Sequence, residues 1–204
     1  SEENAALPEP DYPEDVEGEP PFDPLDWEAV LARKSELAKA TFRNLIEDMP
    51  ESELADRAHL FLGNFLFDEG QFDTAVAEYQ FVYDRGEDGP YYDEAIYQLA
   101  WANYKQDDYE QAVPLFTQVL DRSDEIKADT GKDSPFRTDA VRYMAFAFAD
   151  LGSADSNALE VAQQYFQENG ARDYEWDVYG QMAEGLIRYG RWFEAADVYE
   201  NLQD

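Results

Sequence analysis

Phe72-Asp73-Thr74-Ala75-Val76-Ala77-Glu78-Tyr79 decides the fold of this chain, because its large-small-large spacing returns 37 residues later, from 72 to 109, as Tyr109-x2-Ala112-x3-Phe116. The same spacing recurs as Leu159-x2-Ala162-x3-Phe166 and Trp192-x2-Ala195-x3-Tyr199. Steps of three and then four residues put all three side chains on one face of a helix, and the alanine between two large residues lets a neighbouring helix approach closely. Upstream of each copy lies another small residue, Gly63, Ala100, Ala145 or Ala183, preceded by Leu62, Leu99, Met144 or Met182. Four helical pairs therefore follow one another. Asp26–Met49 reads as a further amphipathic helix, whose Ala38 and Phe42 lie one 37-residue step before Ala75 and Tyr79.

This pattern resembles the tetratricopeptide repeat, which places a small residue in the first helix, then an aromatic, an alanine and another aromatic in the second. Gly63/Phe72/Ala75/Tyr79, Ala100/Tyr109/Ala112/Phe116 and Ala183/Trp192/Ala195/Tyr199 keep one spacing, and Pro90 and Pro135 each stand ten residues before the next small residue. The third copy departs, because Ala145 to Ala162 is longer than Gly63 to Ala75, so Leu151–Asn157 reads as an enlarged turn. The resemblance implies an all-α, right-handed α-solenoid of about four and a half helix pairs. Its divisions are an acidic, proline-rich tether over 1–24 and a repeat domain over 25–204. Within the latter are a half-repeat at 26–49 and repeats at about 52–88, 91–128, 136–170 and 174–204. Asp121–Ser134 reads as a long polar connection, and Pro114 as a bend near the start of a second helix. The last helix, read as Phe193–Gln203, still carries Val198, Tyr199 and Leu202, which another subunit or a longer array would cover.

Composition bounds the function. The chain has 47 acidic and 15 basic residues, a formal net charge of -32, with 44% apolar and 15% aromatic residues, enough for a core. Binding phosphate backbones requires clustered Lys and Arg, so nucleic acid is excluded as a partner and anionic membrane surfaces are disfavoured. The acid excess fits either a salt-rich habitat, in which ions screen self-repulsion, or a basic partner. Thermal stability is expected to rise steeply between low and molar NaCl, and a flat response in a salt series of melting curves would contradict the first of these.

Ser1–Pro24 holds six of the ten prolines and few large apolar residues, the composition of an extended, self-repelling tether. Phe22, Leu25 and Trp27 are its expected anchors on the repeats or on another chain. A start at Ser1 reads as a processed product or an excised piece, with no signal segment and no membrane-spanning stretch. A proline-rich acidic tether before a repeat domain is similar to bacterial envelope proteins, which implies a periplasmic or extracellular setting.

Catalytic chemistry finds little foothold. His59 is the single histidine and cysteine is absent, which removes Ser-His-Asp and Cys-His arrangements and any His/Cys metal cluster. His59 reads as a packing or hydrogen-bonding residue. Asp84–Gly89 begins like a calcium loop but has glycine at the third position and Ala95 at the twelfth. Gly131-Lys132 lacks the remainder of a phosphate loop, with Ile126 and Asp133 at two required positions. No catalytic, cofactor or metal site is assigned, and the expected activity is non-enzymatic.

The resemblance implies instead a groove lined by the first helices, at positions three before, one after and four after each small residue. Those are Leu60, Asn64 and Phe67, then Tyr97, Trp101 and Tyr104, then Arg142, Phe146 and Ala149, then Gly180, Glu184 and Ile187. Aromatics beside Arg142 and Lys105 suit a peptide or helix with apolar anchors and an acidic group. Asn64 stands where a carboxylate-gripping subset of the family has asparagine, but Leu60 replaces its lysine, so that clamp is not assigned. The expected role is a protein-protein scaffold, with other proteins or further copies of itself as partners and no insertion into membranes. The alternative is a structural subunit of a filament or surface layer, linked by its tether.

Overall fold

A computed structural model describes residues 27–152 and 157–203. Among these residues the chain forms nine α-helices and no strands. They are α1 (Trp27–Asp48), α2 (Glu53–Asp68), α3 (Phe72–Tyr83), α4 (Tyr92–Lys105), α5 (Tyr109–Thr130), α6 (Arg137–Leu151), α7 (Ala158–Asn169), α8 (Glu175–Arg188) and α9 (Trp192–Asn201). Each even-numbered helix from α2 to α8 packs on the helix that follows it, α1 packs on α2, and α3 and α5 pack on the next even-numbered helix. The result is an all-α solenoid. Phe22 and Leu25, with the side chain of Trp27, lie outside the described residues.

The small residues set how closely the helices approach. Ala75, Ala100, Ala112, Ala145, Ala162 and Ala183 are fully buried. At Gly63 a Cβ would stand 2.5 Å from Cε1 of Tyr79. That ring is itself fully buried, and its hydroxyl donates to Oδ1 of Asn64 at 2.7 Å. Gly63→Ala is therefore expected to destabilise the chain. Helix propensity would gain about 1 kcal/mol, but over-packing costs about 1–3 kcal/mol and the tethered ring cannot retreat. A melting curve with a midpoint at or above that of the parent would contradict this.

Three of the first helices end in one turn. Gly70, Asp107 and Gly190 have φ of 75°, 59° and 77°. The next N–H in each returns to the carbonyl five residues earlier, Gln71 to Leu66 (2.8 Å), Asp108 to Asn103 (3.0 Å) and Arg191 to Leu186 (2.8 Å). This is a Schellman closure, in which left-handed backbone satisfies the last carbonyls. Aspartate replaces glycine in the middle copy, and the Tyr109 hydroxyl donates to its Oδ1 at 2.8 Å.

An ion pair also keeps the period. Arg85 Nε donates to Asp56 at 3.0 Å, and Arg122 Nε to Asp93 at 2.9 Å. Both members are displaced by one 37-residue step, 56 to 93 and 85 to 122.

Two sequence expectations need amendment. Asp121–Thr130 is helix rather than connection, because α5 runs unbroken through Pro114 to Thr130. Pro114 sits in the second turn, Arg122 bonds Asp93 and Glu125, and Gly131 ends the helix in the left-handed region at φ 72°. The last helix begins one residue earlier than expected, at Trp192, and ends at Asn201.

The third copy is irregular. α8 packs on α6 and α9, whereas α7 rests on α6 and touches α9 lightly. An open cleft walled by Gln167 and Trp176 lies between α7 and α8, floored by the edge-on contact of Phe166 with Tyr179 at 6.0 Å. Gly152 follows α6, and a Cβ there would meet Ala158 backbone at 2.8 Å. Arg191, in the α8–α9 turn, closes this region. Its guanidinium donates to the carbonyls of Ala149 and Gly152 and to both carboxylate oxygens of Glu194, while Glu194 accepts the Ala158 N–H.

Candidate functional site

Aromatic side chains of the first helices α2, α4 and α6, joined by Phe72 at the start of α3 and Tyr189 just past the end of α8, meet in an unbroken row. Phe72 lies edge-on to Phe67, with ring centres 5.0 Å apart, and Phe67 stacks on Trp101 at 6.2 Å. Trp101 is nearly parallel to Tyr104 at 5.4 Å and touches Tyr143 at 3.9 Å. Tyr143 meets Phe146 at 6.1 Å, which meets Tyr189 at 6.4 Å. The row thus crosses all four units. Phe67, Trp101, Tyr104, Tyr143 and Phe146 are half-buried, so each is packed on its neighbours yet keeps an exposed part. Such rigid amphipathic rings supply contact area at low entropic cost.

Glycines shape this face. At Gly185 a Cβ would stand 2.8 Å from Phe146 Cε1, so α8 comes close enough to support that ring. At Gly180 a Cβ would meet no atom within 4 Å, so α8 faces open space there.

The expected groove residues do not all share this face. Leu60 is a correction: it is 2% exposed and belongs to the core with Leu62, Leu66 and Tyr79, so it offers no surface. Ala149 is likewise fully buried. Asn64 is half-buried and spends its carboxamide oxygen on Tyr79. Tyr97 stacks on Phe136 at 4.8 Å. Glu184 is exposed and accepts from Gln181 at 3.3 Å, and Ile187 is exposed. Tyr143 and Tyr189, and Phe72 from the second helix α3, join the row without having been expected in the groove. Tyr143 is central, and its spacing of three from Phe146 was the signal available.

The two cations that suggested an acidic ligand are engaged within the chain. Lys105 Nζ sits 4.7 Å above the Trp101 ring, and Arg142 Nη1 donates to Asp139 at 3.1 Å. Burial pushes the Tyr104 hydroxyl up to about 12, with Asp150 and Asp107 adding negative charge nearby. Burial and then Asp139 push Tyr97 up to about 12. Tyr109 is raised by burial and by its hydrogen bond to Asp107, and burial raises Asp150 itself. His59 lies apart from the row, with Nδ1 2.6 Å from Glu78 Oε2 and its ring stacked on Phe81 at 3.9 Å.

Residues 54–125 match the family model of the tetratricopeptide repeat. The match runs from the first turn of α2 into α5. Solved structures extend the likeness of fold beyond it. The nearly identical TPR-like repeats of a Podosopora anserina protein named as a kinesin light chain are 19% identical over 87% of this chain and 87% of their own, with a TM-score of 0.56. A second structure of those repeats gives 19% identity over 88% and 90%, with a TM-score of 0.53. MamA is 16% identical over 90% of this chain and 94% of its own, with a TM-score of 0.50. No curated protein sequence matches the chain. Among the described residues, no helix is long and apolar enough to cross a membrane.

Proposed function

We propose that this chain is a non-enzymatic protein-interaction scaffold that holds another protein against the aromatic row of its first helices, within a larger bacterial envelope or extracellular assembly. The row itself carries the reading, since rings from four successive units form one strip with exposed parts, and tetratricopeptide repeats serve as interaction scaffolds. The envelope setting is supported by the acidic, proline-rich composition of Ser1–Pro24. Trp101→Ala combined with Phe146→Ala tests the scaffold role. A partner recovered from the source organism by the parent chain should be lost by this variant and kept by Phe81→Ala, which changes an exposed ring on α3. Equal retention by both variants would overturn the groove reading.

One observation favours a second reading, a subunit of a filament or surface layer. α9 exposes Phe193 (90%), Trp192 (62%) and Tyr199 (40%), whereas the equivalents of Tyr199, Tyr79 and Phe116, are fully buried under the next unit. Head-to-tail contact between copies would cover such a face and propagate. Light scattering of the intact chain and of a form lacking Ser1–Pro24 separates the two. Oligomers that grow with concentration and vanish on deletion favour the polymer, and monomers throughout favour the scaffold.

A further inference from the structure

We infer that the groove takes a cationic segment of a partner protein, one with lysine or arginine beside apolar anchors, whose cation is received by the tyrosines and carboxylates where α4 and α6 end. This rests on the groove being the binding face. Tyr104 stands at the centre of that place, with ring centres 5.5 Å from Tyr109 and 5.4 Å from Tyr143. Asp107 accepts the Tyr109 hydroxyl at 2.8 Å, and the charges of Asp107 and Asp150 both act on Tyr104 and Tyr109. The exposed ring of Tyr189 also acts on Tyr104. Aromatic faces attract cations, and two carboxylates beside them add Coulombic attraction.

A cation already rests on the row. Lys105 lies above Trp101, so these rings accept an ammonium group in the folded chain. The other cations nearby are committed. Arg142 is paired with Asp139, and Arg191 is held by the Ala149 and Gly152 carbonyls and by Glu194. Arg188 is exposed in the last turn of α8. The Arg191 charge also acts on Asp150, but its donors are spent on the carbonyls and Glu194, so Asp107 and Asp150 keep negative charge to offer a ligand, and the phenol rings beside them offer apolar surface. An acidic segment would meet repulsion here from both carboxylates. Against a chain of net charge -32, attraction alone carries no specificity, so the site must be told apart from the general field.

The probe is a blocked, fluorescein-labelled peptide of alternating lysine and leucine, read by anisotropy at physiological ionic strength, with a glutamate-leucine peptide as comparator. Asp107→Asn with Asp150→Asn removes both charges, and asparagine tolerates the left-handed backbone at 107. Glu160→Gln with Glu168→Gln removes the same charge from exposed positions on α7. Affinity for the lysine peptide should fall about tenfold in the first variant and stay within about twofold of the parent in the second, a selective difference of tenfold scale. Equal losses in the two variants, or no binding to the parent, would overturn the inference. Binding of the glutamate-leucine peptide as tightly as the lysine peptide, abolished by Trp101→Ala with Phe146→Ala, would overturn the cationic preference and leave the groove reading standing.

Discussion

Replacing Arg191 by alanine is expected to lower stability by about 2–4 kcal/mol, because one guanidinium ties the end of α6 to α9 and, through Glu194, to the start of α7. It donates to the carbonyls of Ala149 and Gly152 at the end of α6 and to both oxygens of Glu194 on α9. Glu194 in turn accepts from the first N–H of α7. Alanine would leave two carbonyls without their donor and Glu194 without its cation. The side chain is 27% exposed, so water recovers part of the loss, which sets the upper bound below that of a sealed pair. Lysine at the same position restores charge but not the fork of donors, and should recover less than half of the loss. Hydrogen exchange should show α9 opening first, while α2–α5 keep their protection. A thermal midpoint within about 1 °C of the parent would contradict the assignment, since about 2–4 °C follow each kcal/mol in a domain of this size.

The same contact has an acid signature. Hydrogen bonding to Arg191 holds the Glu194 carboxyl below its usual range. A depressed folded value means the contribution is present above the ordinary carboxylate pKa and is lost as pH falls through the folded value. In Arg191→Ala this part of the acid dependence should disappear.

Alkali is expected to unfold the whole chain between about pH 10 and pH 12. Tyr92, Tyr97, Tyr104 and Tyr179 are each pushed up to about 12, with burial the foremost cause. Tyr79 and Tyr174 are displaced upward further, again by burial first. Unfolded tyrosine ionises near pH 10. A raised folded value means that stability is complete below that pH and drains away as pH rises toward the folded values. Lys39 works in the same direction, because its hydrogen bonds to Glu36 and Glu69 raise its folded value. Phenolate absorbance and helical circular dichroism should therefore change together, in one cooperative step. Gradual ionisation with the helical signal intact would mean that these rings are open to hydroxide.

The second helices were legible in the sequence because their signal is local. Ala75 and Tyr79, or Ala112 and Phe116, lie four residues apart, and the structure buries all four. Asp121–Thr130 was not legible as helix, since its residues are mostly polar and its support comes from Arg122 reaching back to Asp93. In the candidate site, Phe67, Trp101, Tyr104 and Phe146 could be placed by spacing from the small residue. Tyr143 falls outside that rule, and only its spacing of three from Phe146 pointed to it; it enters the row by contact with Trp101 on another helix. Leu60 went the other way: the rule of spacing ignores how deeply α2 is covered by its neighbours. The engagement of Lys105 and Arg142 was equally invisible, being a matter of which partner each cation finds.

The 37-residue spacing of Asp56–Arg85 and Asp93–Arg122 gives the chain interchangeable parts. A deletion from Asp56 through Tyr92 would set Asp93 where Asp56 now stands, with Arg122 in place of Arg85, and the junction would fall at the same point of a first helix. The shortened chain is expected to keep its helicity per residue, as judged by circular dichroism, whereas a deletion one or two residues longer or shorter would turn the rest of the joined first helix off its face. Growth and loss of such a chain can thus proceed in whole units, each bringing its own ion pair.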